Sequence, residues 1–448
     1  MRHDCLPGAY SCRSQNGIFV LIKLNCKRSQ LGGVTVFPQS GCRAAYCSLE
    51  VESMSVFPFA TKSIGTACLV VAIGICGPGL NLIVTHAACG QDATGVQSQR
   101  HDEFDWPRFR QLQQKRQRGE LLTPEEAAIF RRAQQLMHEQ ALRLDPNGER
   151  EPRSSIGLIP LTEMSAEDRY LGEDGGLYGA GMNEPPDALR EAALNELTQI
   201  VPRDAIGRPD PRGSIGFVSI SMSNATQEFS YFKRVADADP VKSPRVKIVD
   251  CAQGGQAMAE WVDPQGRAWR EADRRLRAAK ISPLQVQVAW IKLANKNPIG
   301  ELTEHGKRMQ SDTMAVLHNA RQRFPNLRIA YLSSRTYGGY SVGTLNPEPF
   351  AYEGAFVVRW LIQAQLEGND ALNCDPERGV VRAPLLVWGP YLWADGETPR
   401  KSDGLTWLEE DFSDAVHPTE SGRRKVCNLM MDYFKNNPLA APWFTGRR

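Results

Sequence analysis

The stretch Ile215-Gly-Phe-Val-Ser-Ile220, followed at once by Ser221-Met222-Ser223-Asn224, decides how this chain is read. Its first six residues are apolar or small on both alternating faces, the pattern of a short strand covered on both sides in a parallel sheet. The same pattern returns at Val246–Val249, Val286–Ile291, Leu327–Leu332 and Leu385–Trp388. Helix-period stretches lie between, notably Glu301–Phe324 and Ala351–Glu367. A last helix carries Val426, Leu429, Met430, Tyr433 and Phe434 on one face, spaced to pack on the sheet. Strands alternating with helices require right-handed crossovers. The expected fold is therefore a three-layer α/β/α sandwich on a five-stranded parallel sheet, covering 212–448 and preceded by a helical N-terminal region.

Upstream, 151–211 is a Gly/Pro-rich loop plus a helix from Asp187 to Ile200, expected to pack on the main domain. Its run Gly172-Glu-Asp-Gly-Gly-Leu-Tyr-Gly-Ala-Gly181 lacks the Gly-Lys-Ser/Thr of a phosphate loop and follows no clear strand, so it reads as a loop edging the site. Residues 91–150 are polar and helix-prone, broken at Gly119 and restarting at Thr123-Pro124, where threonine caps and proline takes the first helical position. From Ile64 to Val84 the chain is mostly apolar, preceded by Lys62 and Met54 and followed by Ala87-Ala88-Cys89. That is the layout of a secretory signal peptide over 54–90, with an uncleaved anchor as the rival. Residues 1–53 carry no periodicity and read as an extension from an early start codon. The protein is thus expected to be exported, periplasmic or secreted, and to meet a membrane only through that segment.

A net charge of +2 over 448 residues, with acidic and basic residues interleaved, gives no nucleic-acid footprint. Eight of eleven cysteines precede residue 90, leaving Cys251, Cys374 and Cys427 in the folded part. A cysteine framework is excluded there, although Cys374 and Cys427 are open to pairing in an oxidising compartment. No His-Glu-x-x-His or similar ligand spacing occurs, so neither a metal nor an organic cofactor is expected.

In an open parallel sheet, ligands sit outside the carboxyl ends of the strands. The first strand ends in Ser221-Met222-Ser223, the second in Asp250-Cys-Ala-Gln-Gly-Gly255 and the third in Lys292-Leu-Ala-Asn295. Ser221 should face the sheet edge, whereas Ser223 enters the turn with its hydroxyl free. The backbone amides of Ser223 and Gly255 and the side chain of Asn295 are placed to form an oxyanion hole. Of seven histidines, only His417 lies in a loop with a carboxylate three residues earlier, Asp414, and Asp411 competes for the orienting role. Serine, histidine and carboxylate are what acyl transfer needs, because imidazole takes the hydroxyl proton and the carboxylate fixes its tautomer. Lys292 beside the third strand end, and Arg335 after the fourth, are candidates for substrate contact. Tyr337, Tyr340, Trp388, Tyr391 and Trp393 offer flat rings for a sugar.

Ser223, Gly255, Asn295 and the Asp414/His417 pair, in this order at these strand ends, resemble the four blocks of the SGNH (GDSL-like) hydrolase superfamily. The resemblance covers about 212–437. Ser-Met-Ser-Asn-Ala-Thr-Gln-Glu228, Ala-Gln-Gly-Gly255, Tyr-Leu-Ser-Ser-Arg-Thr-Tyr-Gly-Gly339 and Trp-Gly-Pro-Tyr-Leu-Trp393 are similar to an uncharacterised, exported bacterial subgroup of it. It implies a flavodoxin-like fold, Ser223 as nucleophile, His417 as base, Asp414 as its partner, and Gly255 and Asn295 completing the oxyanion hole. The departures are Ser221-Met222 where the superfamily places Gly-Asp, and Leu293 where it places glycine. The expectation is an exported serine esterase acting on a small-molecule or carbohydrate ester. The alternative is a binding module that has kept the fold and lost the chemistry.

Overall fold

The computed structural model describes residues 10–13, 19–22, 104–117, 120–142 and 152–447. The signal-peptide and extension expectations fall on residues outside these. The chain divides into two units, 1–99 and 100–448. In the first, β1 (Tyr10–Arg13) and β2 (Phe19–Ile22) form an antiparallel hairpin.

The second unit opens with α1 (Trp106–Gln117) and α2 (Pro124–Leu142). They join through Phe109 and Phe130, whose ring centroids are 5.0 Å apart. The restart at Thr123 is a capping box: Thr123 Oγ1 accepts the Glu126 amide at 3.2 Å, and the Glu126 carboxylate accepts the Thr123 amide at 3.0 Å. Next comes α3 (Asp187–Gln199), then β3 (Ile215–Ile220), α4 (Ser223–Ala238), β4 (Val246–Asp250), α5 (Met258–Trp261), α6 (Arg267–Ala278) and β5 (Val286–Lys292). The remainder is α7 (Leu302–Arg323), β6 (Ile329–Ser333), α8 (Phe350–Leu366), β7 (Leu385–Trp388), α9 (Glu420–Asn436) and α10 (Ala441–Thr445).

The five strands of this unit are all parallel, in the order β4-β3-β5-β6-β7. Every residue of β3, β5, β6 and β7 is buried, as continuous apolar runs between two helical layers must be. On one face, Phe217 of β3 packs edge-on against Phe434 of α9, Phe229 of α4 stacks on Trp290 of β5, and Tyr331 of β6 meets Trp443 of α10. The other layer contains α6 and α7, joined through Trp269 and Phe324, and α8, where Trp360 fills the space beside Gly306 of α7. Chain order reverses between β3 and β5, so the carboxyl ends of these two strands flank the crevice where such sheets bind ligands.

The Gly-rich loop is anchored to α8. Arg359 of α8 holds it, donating to the Asp174 carbonyl and carboxylate at 2.8 and 2.9 Å, and pairing with Glu173. Cys251, Cys374 and Cys427 are all unpaired. No helix among the described residues is long and apolar enough to cross a membrane.

Candidate active site

Ser223 is the first residue of α4, directly beyond the end of β3. The first amides of a helix have no intrahelical acceptor, and the helix dipole puts partial positive charge there. Its Oγ lies 2.8 Å from His417 Nε2. His417 Nδ1 lies 2.7 Å from Asp414 Oδ2. The loop bearing both residues closes on itself: Phe412 bridges to Pro418, the Ser413 amide donates to the His417 carbonyl at 2.8 Å, and Ala415 turns the chain at φ +61°. Asp414 Oδ1 accepts the amides of His417 at 2.7 Å and Val416 at 3.2 Å. Burial raises the Asp414 carboxyl, but those amides and the imidazole outweigh it and hold it below the ordinary carboxylate value.

Asp411 stands elsewhere. It is buried, accepts the Leu408 amide and the Ser421 hydroxyl at 2.8 Å each, and pairs with Lys425, tying the loop's base to α9. Ser221 is fully buried and donates to the Lys292 carbonyl at 2.7 Å, which joins the ends of β3 and β5. Its carbonyl accepts the Gln253 amide at 3.0 Å, bringing the loop after β4 beside Ser223.

That loop is set by residues the sequence reading passed over. Ser219 donates to Asp250 at 2.6 Å and accepts the amides of Cys251 and Ala252 at 3.0 and 3.1 Å. The other Asp250 oxygen accepts Thr226 and, at 2.7 Å, Ser230, both on α4. Burial raises the Asp250 carboxyl against these three hydroxyls. Polar residues in a strand and the first turns of a helix were the available signal. The network lays Gly254 near Ser223: a Cβ there would meet only Ser223 Cβ, at 3.9 Å. Gly255 follows, exposed and at φ +73°. The amides of Ser223, Gly254 and Gly255 have no acceptor among the described residues, so this corner offers free donors next to the hydroxyl.

Two expectations need correction. Lys292 does not face a substrate: it is fully buried, with Nζ 2.7 Å from each oxygen of Glu228. Burial pushes its ammonium down to about 8 against the pull of that carboxylate. The five aromatic side chains are buried, between 0% and 7% exposed, with polar atoms turned to the backbone or to Glu348, as in Trp393 Nε1 to Glu348 at 2.7 Å. They are core, not a stacking platform. Asn295 is engaged as well: Oδ1 accepts the Ala259 amide at 2.9 Å and Nδ2 donates to Asp312 at 2.6 Å, linking α5 to α7. Its second amide hydrogen is all it has left for an oxyanion. His305 is in the first turn of α7, paired to Glu353. Arg335 is buried beside Met222, with Nη1 3.7 Å from Met222 Sδ.

No family model and no curated protein matches the chain. Among solved structures, the chain is similar to a gut microbial diltiazem-metabolizing enzyme at 13% identity and a TM-score of 0.30, over 49% of this chain and 46% of that one. The match therefore spans about half of that enzyme. It is similar to a Slackia heliotrinireducens protein provisionally titled an SGNH hydrolase, at 13% identity and TM-score 0.26, over 49% of this chain and 99% of that one. It is also similar to the periplasmic domain of a lipopolysaccharide acetyltransferase from Salmonella serovar Paratyphi A, at 14% identity and TM-score 0.28, covering 55% and 96%.

Proposed function

We propose that this chain is a serine esterase of SGNH type that cleaves an oxygen ester through an acyl-serine intermediate. The observation that supports it is the unbroken relay Ser223 Oγ to His417 Nε2 at 2.8 Å and His417 Nδ1 to Asp414 at 2.7 Å, assembled from residues 194 positions apart. In this reading His417 takes the Ser223 proton as Oγ attacks the ester carbonyl. Asp414 holds the imidazole in the tautomer whose Nε2 can accept. The amides of Ser223 and the Gly254–Gly255 turn, at the positive end of α4, receive the developing alkoxide, with Asn295 as a further donor. Proton return from His417 to the alcohol leaves the acyl group on Ser223, and water attacks it by the reverse sequence. No metal or cofactor enters these steps. The apolar run from Ile64 to Val84 is the ground for reading the enzyme as exported.

Exposure of the full chain to a fluorophosphonate, with peptide mass mapping, tests the reading alongside turnover of a short-chain aryl ester. Label on Ser223 with measurable turnover is expected. A folded protein with neither label nor turnover would instead be a binding module on the same fold.

A further inference from the structure

Arg335 is a buried cation against Met222, the residue before Ser223, and has no carboxylate of its own. It follows the end of β6 and is 3% exposed. Its Nε has no partner, and its one hydrogen bond among the described residues is to the Met222 thioether, a weak acceptor. The two acids whose charge acts on it are Glu228 and Glu348. Both are taken: Lys292 occupies the two Glu228 oxygens at 2.7 Å, and Glu348 accepts Gly338, Tyr352 and Trp393 at 2.8, 2.9 and 2.7 Å. Orphaned buried donors require an explanation, and a ligand is one. On the far side of Ser223 in sequence, Asn224 is 1% exposed and its Nδ2 is also without a partner.

Met222, whose sulfur meets the guanidinium, precedes Ser223, so the two α-carbons are ~3.8 Å apart. An unbranched thioether re-packs easily. What belongs against an unmatched guanidinium is a planar anion with two oxygens, because the fork donates to both at once.

We propose that Arg335 receives a carboxylate carried by the ester substrate, a few bonds from the scissile carbonyl. This rests on the esterase reading and narrows it to anionic esters.

The test uses matched pairs. The mono-4-nitrophenyl ester of succinate against 4-nitrophenyl butyrate puts the carboxylate in the acyl part; 4-acetoxybenzoate against 4-acetoxybenzamide puts it in the alcohol. At least one anionic member should exceed its neutral partner in kcat/KM by roughly ten- to hundredfold, the range for hydrogen bonds to charged groups. Arg335→Gln should bring that ratio to near one, and Arg335→Lys should keep part of it, each checked for folding by circular dichroism. No preference in the wild type, or a preference that survives Arg335→Gln, overturns the proposal while leaving the esterase reading intact. If no ester is turned over, calorimetry with succinate and benzoate decides. Binding lost in Arg335→Gln keeps the subsite and removes the esterase, and absence of binding removes both.

Discussion

Ser221 and Ser223 are two residues apart at the end of one strand, and their alanine variants should behave in opposite ways. The Ser221 hydroxyl is fully buried and donates to the Lys292 carbonyl at 2.7 Å. Ser221→Ala leaves that buried acceptor unpaired, at a cost of ~1–3 kcal/mol, so the melting temperature should fall by a few degrees. The hydroxyl of Ser223 is half-buried and meets His417 at 2.8 Å as its one polar contact among the described residues. Ser223→Ala removes a partly solvated bond worth ~1 kcal/mol and gains ~0.5 kcal/mol of helix propensity, so stability should hardly move. Turnover, however, loses its nucleophile. The fall should be on the order of the ~10⁶-fold loss known for deletion of another triad's serine, against less than about tenfold for Ser221→Ala. Aryl-ester kinetics and thermal melts on both variants read the two effects separately. A Ser223→Ala protein that keeps more than a hundredth of the wild-type rate would refute the assignment, as would one whose fold collapses.

Asp414→Asn should retain the fold and lose about 10⁴-fold in rate, since the amide cannot hold the imidazole in the accepting tautomer; kcat of a purified variant checks it. The same carboxyl sits below its ordinary value, so the stability it contributes is present above the unfolded pKa and disappears as pH falls through the folded one. Lys292→Met strands a buried Glu228 and should destabilise by ~3–5 kcal/mol in denaturant unfolding, whereas adding Glu228→Leu should recover most of it. If both variants are equally unstable, the ion pair is not the reason. Burial raises Glu348 and Asp395 each to about 7. Both prefer the protonated form when folded, so thermal stability should decline as pH rises from about 4 through 7. A melting temperature that climbs across that window would contradict the two assignments.

The strands were readable because a parallel sheet covered on both faces demands continuous branched apolar runs, and that demand is met locally. Val246–Val249 and Val286–Ile291 each proved one residue short at the carboxyl end. The fourth strand begins at Ile329 rather than Leu327, because the Leu327 amide turns back to Phe324. The Asp414/His417 contact was readable for a similar reason, since three residues of loop suffice to close it.

What sequence could not supply was the partner of any group whose neighbour is distant along the chain. Lys292 and Arg335 look alike as cations at strand ends. One is neutralised by Glu228, 64 residues away, and the other is not. Asn295 looks like a fully free oxyanion donor until α5 and α7 take its oxygen and one of its two amide hydrogens. Tyr337 and Trp393 look like a sugar platform until the layers close over them. That Gly254 lies near Ser223 depends on Ser219 and Asp250, which hold the loop after β4. By itself the sequence determined the kind of fold and singled out Ser223, Asp414 and His417 as candidate groups, because periodicity and short-range spacing are local properties of the chain. Which polar side chains are satisfied, and which remain free to meet a substrate, was decided only by the tertiary structure, because satisfaction is a property of pairs that packing alone brings together.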